Sequence, residues 1–172
     1  MAARGLTQQP CAQGYYSIQD QYEIPSTAAK KYTALFNESA AIGFLEPFRD
    51  AVPWVRRLHR THGYRFTVIT SLSEDPYAVQ LRRRNLISRF GKVFEDIICL
   101  PTGSDKYAAL EPYRDTGMWW VEDKPENAIV GAELGLRSIL LEHEHNRDFD
   151  HALIYRAKTW KDIYYAVTGQ LS

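Results

Sequence analysis

The 172-residue chain has little cysteine, no net charge and no long apolar run. Cys11 and Cys99 stand far apart and outside any CxxC pattern, which argues against a disulfide framework or a thiolate zinc site. Cys99, inside Asp-Ile-Ile-Cys-Leu, reads as a small buried apolar residue. Lys+Arg and Asp+Glu each number 21, and 24% of residues are charged, so the composition fits neither a polyanion-binding sheath nor a disordered chain. No window reaches the ~18 apolar residues of a membrane span. The opening MAARGLTQQP has one Arg and no apolar run after it. The expectation is a soluble, cytoplasmic protein with neither a membrane nor a nucleic acid as partner.

What is present is 45% apolar, enough for one compact domain. Composition changes near residue 44. Residues 1–44 are polar and irregular, with one expected helix over 26–39 that Ser26 would cap and that sets Tyr32, Leu35 and Phe36 on one face. From 45 to 172, short apolar runs alternate with amphipathic stretches, the rhythm of a parallel α/β sheet. Asp50 is expected to cap a helix over 51–62 that Gly63 ends, and Phe66–Thr70 reads as a buried strand. Pro76 should open a helix that stops before Gly91, and strands follow at 96–100 and 118–121. Pro125 opens a further helix with Ala128, Ile129 and Ala132 inward and Gly135 at its end. A strand at 138–141 and a last helix over 160–168 complete the pattern.

In an open parallel sheet, ligands bind beyond the carboxyl ends of the strands, where helix N-termini offer free N–H groups. Thr70 and Ser71 follow the first strand, Glu122 and Asp123 follow the third, and Lys106 lies in the loop Pro-Thr-Gly-Ser-Asp-Lys between them. Taken singly, Thr70 or Ser71 is a helix cap, Lys106 a surface lysine and the acid pair an ordinary helix start. Taken in order, they supply a hydroxyl to bind a phosphate, an ammonium to neutralise it and carboxylates to hold a Mg²⁺ beside it.

These residues resemble motifs of the haloacid-dehalogenase-like phosphohydrolases, in particular small nucleotidase-like members of the kind found in phage genomes. FTVITSL resembles the second motif, with Thr70 or Ser71 as the phosphate-binding hydroxyl. TGSDK resembles the third, with Lys106, and WWVEDKPENA the fourth, with Glu122 and Asp123 as metal ligands. The resemblance spans roughly residues 42–168. It implies a three-layer, Rossmann-like parallel sheet over 45–172 and a remnant helical cap over 1–44. It also implies Mg²⁺-dependent hydrolysis of a small phosphorylated metabolite or nucleotide, with Lys106 and Asp123 as catalytic groups and Asp105 and Asn127 supporting them.

The family's first motif, a buried strand ending in Asp-x-Asp, has no counterpart. Asp20 is the sole N-terminal candidate, and neither a strand before it nor a second Asp two residues away accompanies it. Losing a covalent nucleophile costs on the order of 10⁶ in rate, so weak or absent turnover is expected. By the resemblance, the missing strand belongs mid-sheet, where its four or so apolar side chains would contribute roughly 6–12 kcal/mol. A second copy or a partner chain completing the sheet is therefore one expectation, and an inactive binding or assembly module is the alternative function. Arg82–Arg84 reads as a solvated helix face, and Glu142-His143-Glu144-His145 with His151 as non-metal. His59 and His62 read as cations at a helix C-terminus, and the tyrosines and Trp119-Trp120 as packing.

Overall fold

The computed structural model describes residues 6–10, 14–48 and 50–170, so Cys11 and the first five residues lie outside it. Two short N-terminal helices, α1 (Ile18–Tyr22) and α2 (Ser26–Asn37), precede α3 (Ala51–His62). Then follow β1 (Phe66–Ser71), α4 (Pro76–Phe90), β2 (Phe94–Leu100), α5 (Tyr107–Leu110), β3 (Trp119–Glu122) and α6 (Pro125–Glu133). The chain closes with β4 (Arg137–Leu141), β5 (Ile154–Ala157) and α7 (Trp160–Thr168). The architecture is α/β with parallel strands. No described helix is long and apolar enough to cross a membrane.

Local chemistry accounts for most boundaries. Asp75 accepts a hydrogen bond from the Ala78 N–H at 2.8 Å, and Pro76 occupies the first turn of α4. Gly63 closes α3 in the left-handed region at φ 72°. Asp50 behaves differently from expectation. Its carboxylate makes no cap on α3 and instead accepts from the backbone N–H groups of Trp160 (3.1 Å) and Lys161 (3.2 Å), satisfying the exposed donors of α7. The N-terminus of α7 is completed by a capping box in which Thr159 and Asp162 bond each other's backbone. One carboxylate thereby fixes α3 to α7 across more than a hundred residues.

Where one sheet was expected there are two. β1 pairs with β2, and β3–β4–β5 form a separate three-stranded sheet, with β5 a strand the sequence reading did not foresee. Among the described residues, β1 pairs only with β2 and β3 only with β4. The two sheets still share an apolar cluster in which Ile69 of β1 and Trp120 of β3 meet Leu110, Leu134 and Leu136. A second cluster joins Ile139, Leu141 and Ala157 to Ile163 of α7, with Trp119 and Val121 packed against it.

Close packing of α6 on the second sheet rests on Gly131, where an added Cβ would lie 2.3 Å from Trp120 Cδ1 and 2.6 Å from Ser138 Oγ. Neither atom has room to retreat, since Trp120 is buried and its indole N–H donates to the Asn127 carbonyl at 3.0 Å. Gly131→Ala should cost about 1–3 kcal/mol by overpacking. At roughly 2–4 °C per kcal/mol for a chain of this size, thermal denaturation followed by circular dichroism should show a loss of several degrees. An unchanged midpoint would contradict the packing described.

Candidate functional site

The carboxyl ends of β1 and β3 meet through the loop that follows β2. Strand alternation puts Ile69 and Ser71 on one face of β1 and Val68 and Thr70 on the other. Ile69 packs with Trp120, so Ser71 lies on the face toward β3, and its Oγ donates to the Ser104 carbonyl at 2.8 Å. Two residues on, Lys106 donates to Glu122 Oε1, and its ammonium sits 5.3 Å from the centroid of the Trp120 ring. Ser71 is thus tied to the loop that carries Lys106, and Lys106 to Glu122, whose carboxylate also accepts from the Asp123 N–H. Thr70 is half-buried on the opposite face of its strand.

Glu122 is the centre of the arrangement. Its side chain is 5% exposed and that of Lys106 12%. Oε1 accepts from Lys106 and from Asn127 Nδ2 (3.1 Å), while Oε2 accepts from the N–H groups of Asp123 (3.0 Å) and Lys124 (3.2 Å). Both oxygens are occupied by protein donors, which suits a buried charge and leaves none directed at a cation. Asn127 thus reaches Glu122, whereas the Asp105 carboxylate accepts from the Tyr107 N–H at 3.0 Å, a local contact within its own loop.

Asp123, the neighbouring acid, has no described hydrogen bond to its carboxylate, but its backbone is firmly held. Its carbonyl accepts from Asn146 Nδ2 at 2.7 Å and lies 3.1 Å from His145 Nε2. Asn146 is 2% exposed and also reaches the Leu141 carbonyl, so it ties the turn after β3 to the end of β4. The Glu142–His145 stretch is accordingly structural. Glu142 pairs with Arg156 at 3.1 Å, Glu144 with Arg147 at 2.6 Å, and the rings of His143 and His145 stack 5.3 Å apart. Among the described residues no three His, Cys, Asp or Glu side chains gather as a preformed metal site.

The N-terminal segment reaches the same end of the strands. Asn37, at the last turn of α2 and buried, donates to the Leu72 carbonyl at 2.7 Å and to Thr102 Oγ1 at 3.2 Å. Glu38 accepts from Ser73 Oγ at 3.3 Å. Tyr16 packs edge-on against His145 with centroids 5.0 Å apart, and the Lys124 ammonium lies 5.7 Å from its ring. Tyr16, Asn37 and Asn146 carry no local sequence signal, because their partners are distant in the chain. Asp20 is exposed in α1 and accepts from Ser17 Oγ at 3.0 Å.

The remaining singled-out residues have structural partners. His59 Nδ1 lies 2.8 Å from the Tyr64 carbonyl and His62 Nε2 2.9 Å from the Tyr164 hydroxyl. In the arginine run, Arg82 bonds Asn85 at 2.8 Å, with burial lowering its pKa, and Arg83 bonds the Ile97 carbonyl. Cys99 is a free, partly buried thiol whose pKa is raised by burial and partly offset by Arg83 and Arg82. No protein-family model, curated protein or solved structure matches the chain.

Tyr16 reports the electrostatics of the site. Although 53% of the residue is exposed, burial around its hydroxyl, followed by the charges of Asp123, Glu122 and Glu126, pushes its pKa from 10.0 up to about 12. The folded chain holds this proton more tightly than the unfolded one. Its contribution to stability is therefore complete below pH 10 and is lost as the pH rises through about 12. Phenolate absorbance titrations of the parent chain and Tyr16→Phe should differ by one component with a midpoint near 12, and that midpoint should fall in Asp123→Asn. A component at the ordinary tyrosine value would show that the Tyr16 hydroxyl is neither desolvated nor facing the acids.

Proposed function

We propose that the chain is a haloacid-dehalogenase-like α/β domain with a remnant helical cap, derived from a Mg²⁺-dependent phosphomonoester hydrolase of the nucleotidase type. In this reading it binds a small phosphorylated metabolite or nucleotide in the cytoplasm. The observation that carries the proposal is that the loop after β2 joins the carboxyl ends of β1 and β3, through Ser71 to Ser104 and through Lys106 to Glu122, which neighbours Asp123. Their order along the chain is that of the motifs they resemble.

The charge balance refines the roles. Lys106 already faces Glu122, and Asp123 and Glu126 add two further carboxylates against the single ammonium of Lys124. A phosphate would meet net negative potential, so the site favours a divalent cation entering first. Mg²⁺ is commonly held by one or two carboxylates with water and phosphoryl oxygens completing its shell, and Asp123 is the carboxylate free to take that part. When bound, the ion polarises a phosphoryl oxygen and offsets its charge. Glu122 acts by fixing Lys106 and the turn that carries Asp123, Ser71 is the hydroxyl on the phosphate side, and Thr70 is a support for the strand.

No described side chain stands as the attacking carboxylate, so phosphate binding is expected to exceed turnover. A second reading, an inactive binding or assembly module, is favoured by the edges of β1 and β3 that have no strand partner among the described residues. The ³¹P linewidth of inorganic phosphate and the hydrolysis of p-nitrophenyl phosphate and deoxynucleoside monophosphates separate the outcomes. Expected are Mg²⁺-dependent phosphate broadening that Asp123→Asn abolishes, and turnover near background that Asp20→Asn leaves unchanged. Broadening indifferent to both Mg²⁺ and Asp123 would refute the site, and turnover abolished by Asp20→Asn would identify a nucleophile contrary to this account.

A further inference from the structure

The zero net charge of the chain conceals a segregation. Residues 51–94 hold nine of its 21 Lys and Arg but, of its 21 Asp and Glu, only Glu74 and Asp75, so this stretch carries +7 and the remainder −7. It folds as α3, β1, α4 and the first residue of β2. A zero total therefore hides the field of one part of the surface.

Helix ends account for some of this charge. Arg56 donates to the Arg89 and Phe90 carbonyls (2.8 and 3.2 Å) at the last turn of α4, and Arg89 pairs with Glu46. Arg83 and Arg84 stand in the middle of α4, beyond the reach of the helix dipole. The helix contains no acidic residue, so neither has a partner of opposite sign three or four positions away. Arg60, Arg84 and Lys92 are exposed and have no hydrogen-bond or ion-pair partner among the described residues.

Part of the charge surrounds a recess of about 420 Å³ between α4 and β2. Arg83 lines it from α4, and Arg65 and Lys92 from the segments that lead into β1 and β2. Arg65 donates to the Phe94 carbonyl at 3.3 Å, and Arg83 to the Ile97 carbonyl with Asp96 3.6 Å away. A guanidinium has five N–H groups, so both keep donors for a ligand. Glu95 and Asp96 are the acids of the recess, and its three cations exceed them before Arg84, next to Arg83, is added. Ile87, 48% exposed, also lines it, as does Phe94, whose ring packs edge-on against Phe90 with centroids 5.8 Å apart.

From Arg83 to Phe90, α4 rises about 10 Å. At roughly 3.4 Å per nucleotide, that is the advance of about three nucleotides. Cations along a recess that also offers apolar and aromatic groups suit a strand whose phosphates follow the charge and whose bases lie against the apolar groups. An acidic peptide has no planar faces to place there, and a lipid surface is met by a continuous apolar helix face, which α4 lacks. We infer that this recess is a docking site for a single-stranded nucleic acid, held through its backbone by Arg65, Arg83, Arg84 and Lys92 with bases against Ile87 and Phe94. It lies toward the amino ends of β1 and β2, and the candidate phosphate site at their carboxyl ends, so neither proposal rests on the other.

Fluorescence anisotropy of a labelled ten-nucleotide oligothymidylate tests it. The logarithm of the affinity should fall against that of salt concentration with a slope of about −2 to −3, since each neutralised phosphate of a single strand contributes about 0.7. Arg84→Ala and Lys92→Ala, at exposed positions that hold no partner, should each flatten the slope by about 0.7, and together weaken binding about tenfold or more. An abasic oligomer of the same length should bind about tenfold more weakly. An affinity that the double variant leaves unchanged overturns the inference, as does equal binding of the abasic oligomer or of polyglutamate. Tighter binding to phosphatidylserine vesicles than to the oligonucleotide overturns it in favour of a membrane. Phosphate broadening should be indifferent to Lys92→Ala, which reads the candidate phosphate site separately.

Discussion

The buried carboxylate of Glu122 is the constraint on which the candidate site depends. It ends β3, and its four donors come from the loop after β2, the turn into α6 and α6 itself. An ionised carboxylate in this position is tolerable only because each oxygen is satisfied, and satisfying them fixes the backbone at Asp123 and the ammonium of Lys106 together. Trp120 lies beneath Lys106, and the absence of a side chain at Gly131 lets α6 approach it. Packing at one glycine is thereby linked, through a single indole ring, to the position of one charged group.

The same end of the molecule is shaped by residues with no chemistry of their own to offer. Asn146 and His145 hold the Asp123 carbonyl from the β4 side, and Asn37 holds the exit of β1 from the N-terminal side. The N-terminal segment is in this sense part of the site's wall. Its Tyr16 ring meets Lys124, and its hydroxyl is held protonated chiefly by burial and further by the charges of Asp123, Glu122 and Glu126.

Much of the framework was legible where a local rule decides the backbone. Pro76 and Pro125 at first turns, Asp75 as a cap and Gly63 in the left-handed region mark helices by chemistry that acts within a few residues. β5 was not legible because Ile154–Ala157 is short and carries Arg156, whose guanidinium is absorbed by the Asn146 and Phe149 carbonyls and by Glu142. Asp50 looked like a cap for the helix it precedes, yet its partner is α7, and nothing near it in the sequence could have shown that. The grouping of Ser71, Lys106, Glu122 and Asp123 followed from their places at element ends, whereas the choice between Ser71 and Thr70 needed the face on which Ile69 packs. That Glu122 serves as a structural anchor, leaving Asp123 as the free acid, depends on donors that only the fold brings to it.

Lys106 and Glu122 stabilise the chain as a pair and not as two separate charges. A double-mutant cycle on Lys106→Met and Glu122→Gln, read by urea denaturation, measures that coupling. The account predicts about 1.5–3 kcal/mol of coupling, with Lys106→Met costing clearly less once Glu122 is already neutral. Losses that add to within about 0.5 kcal/mol would contradict it.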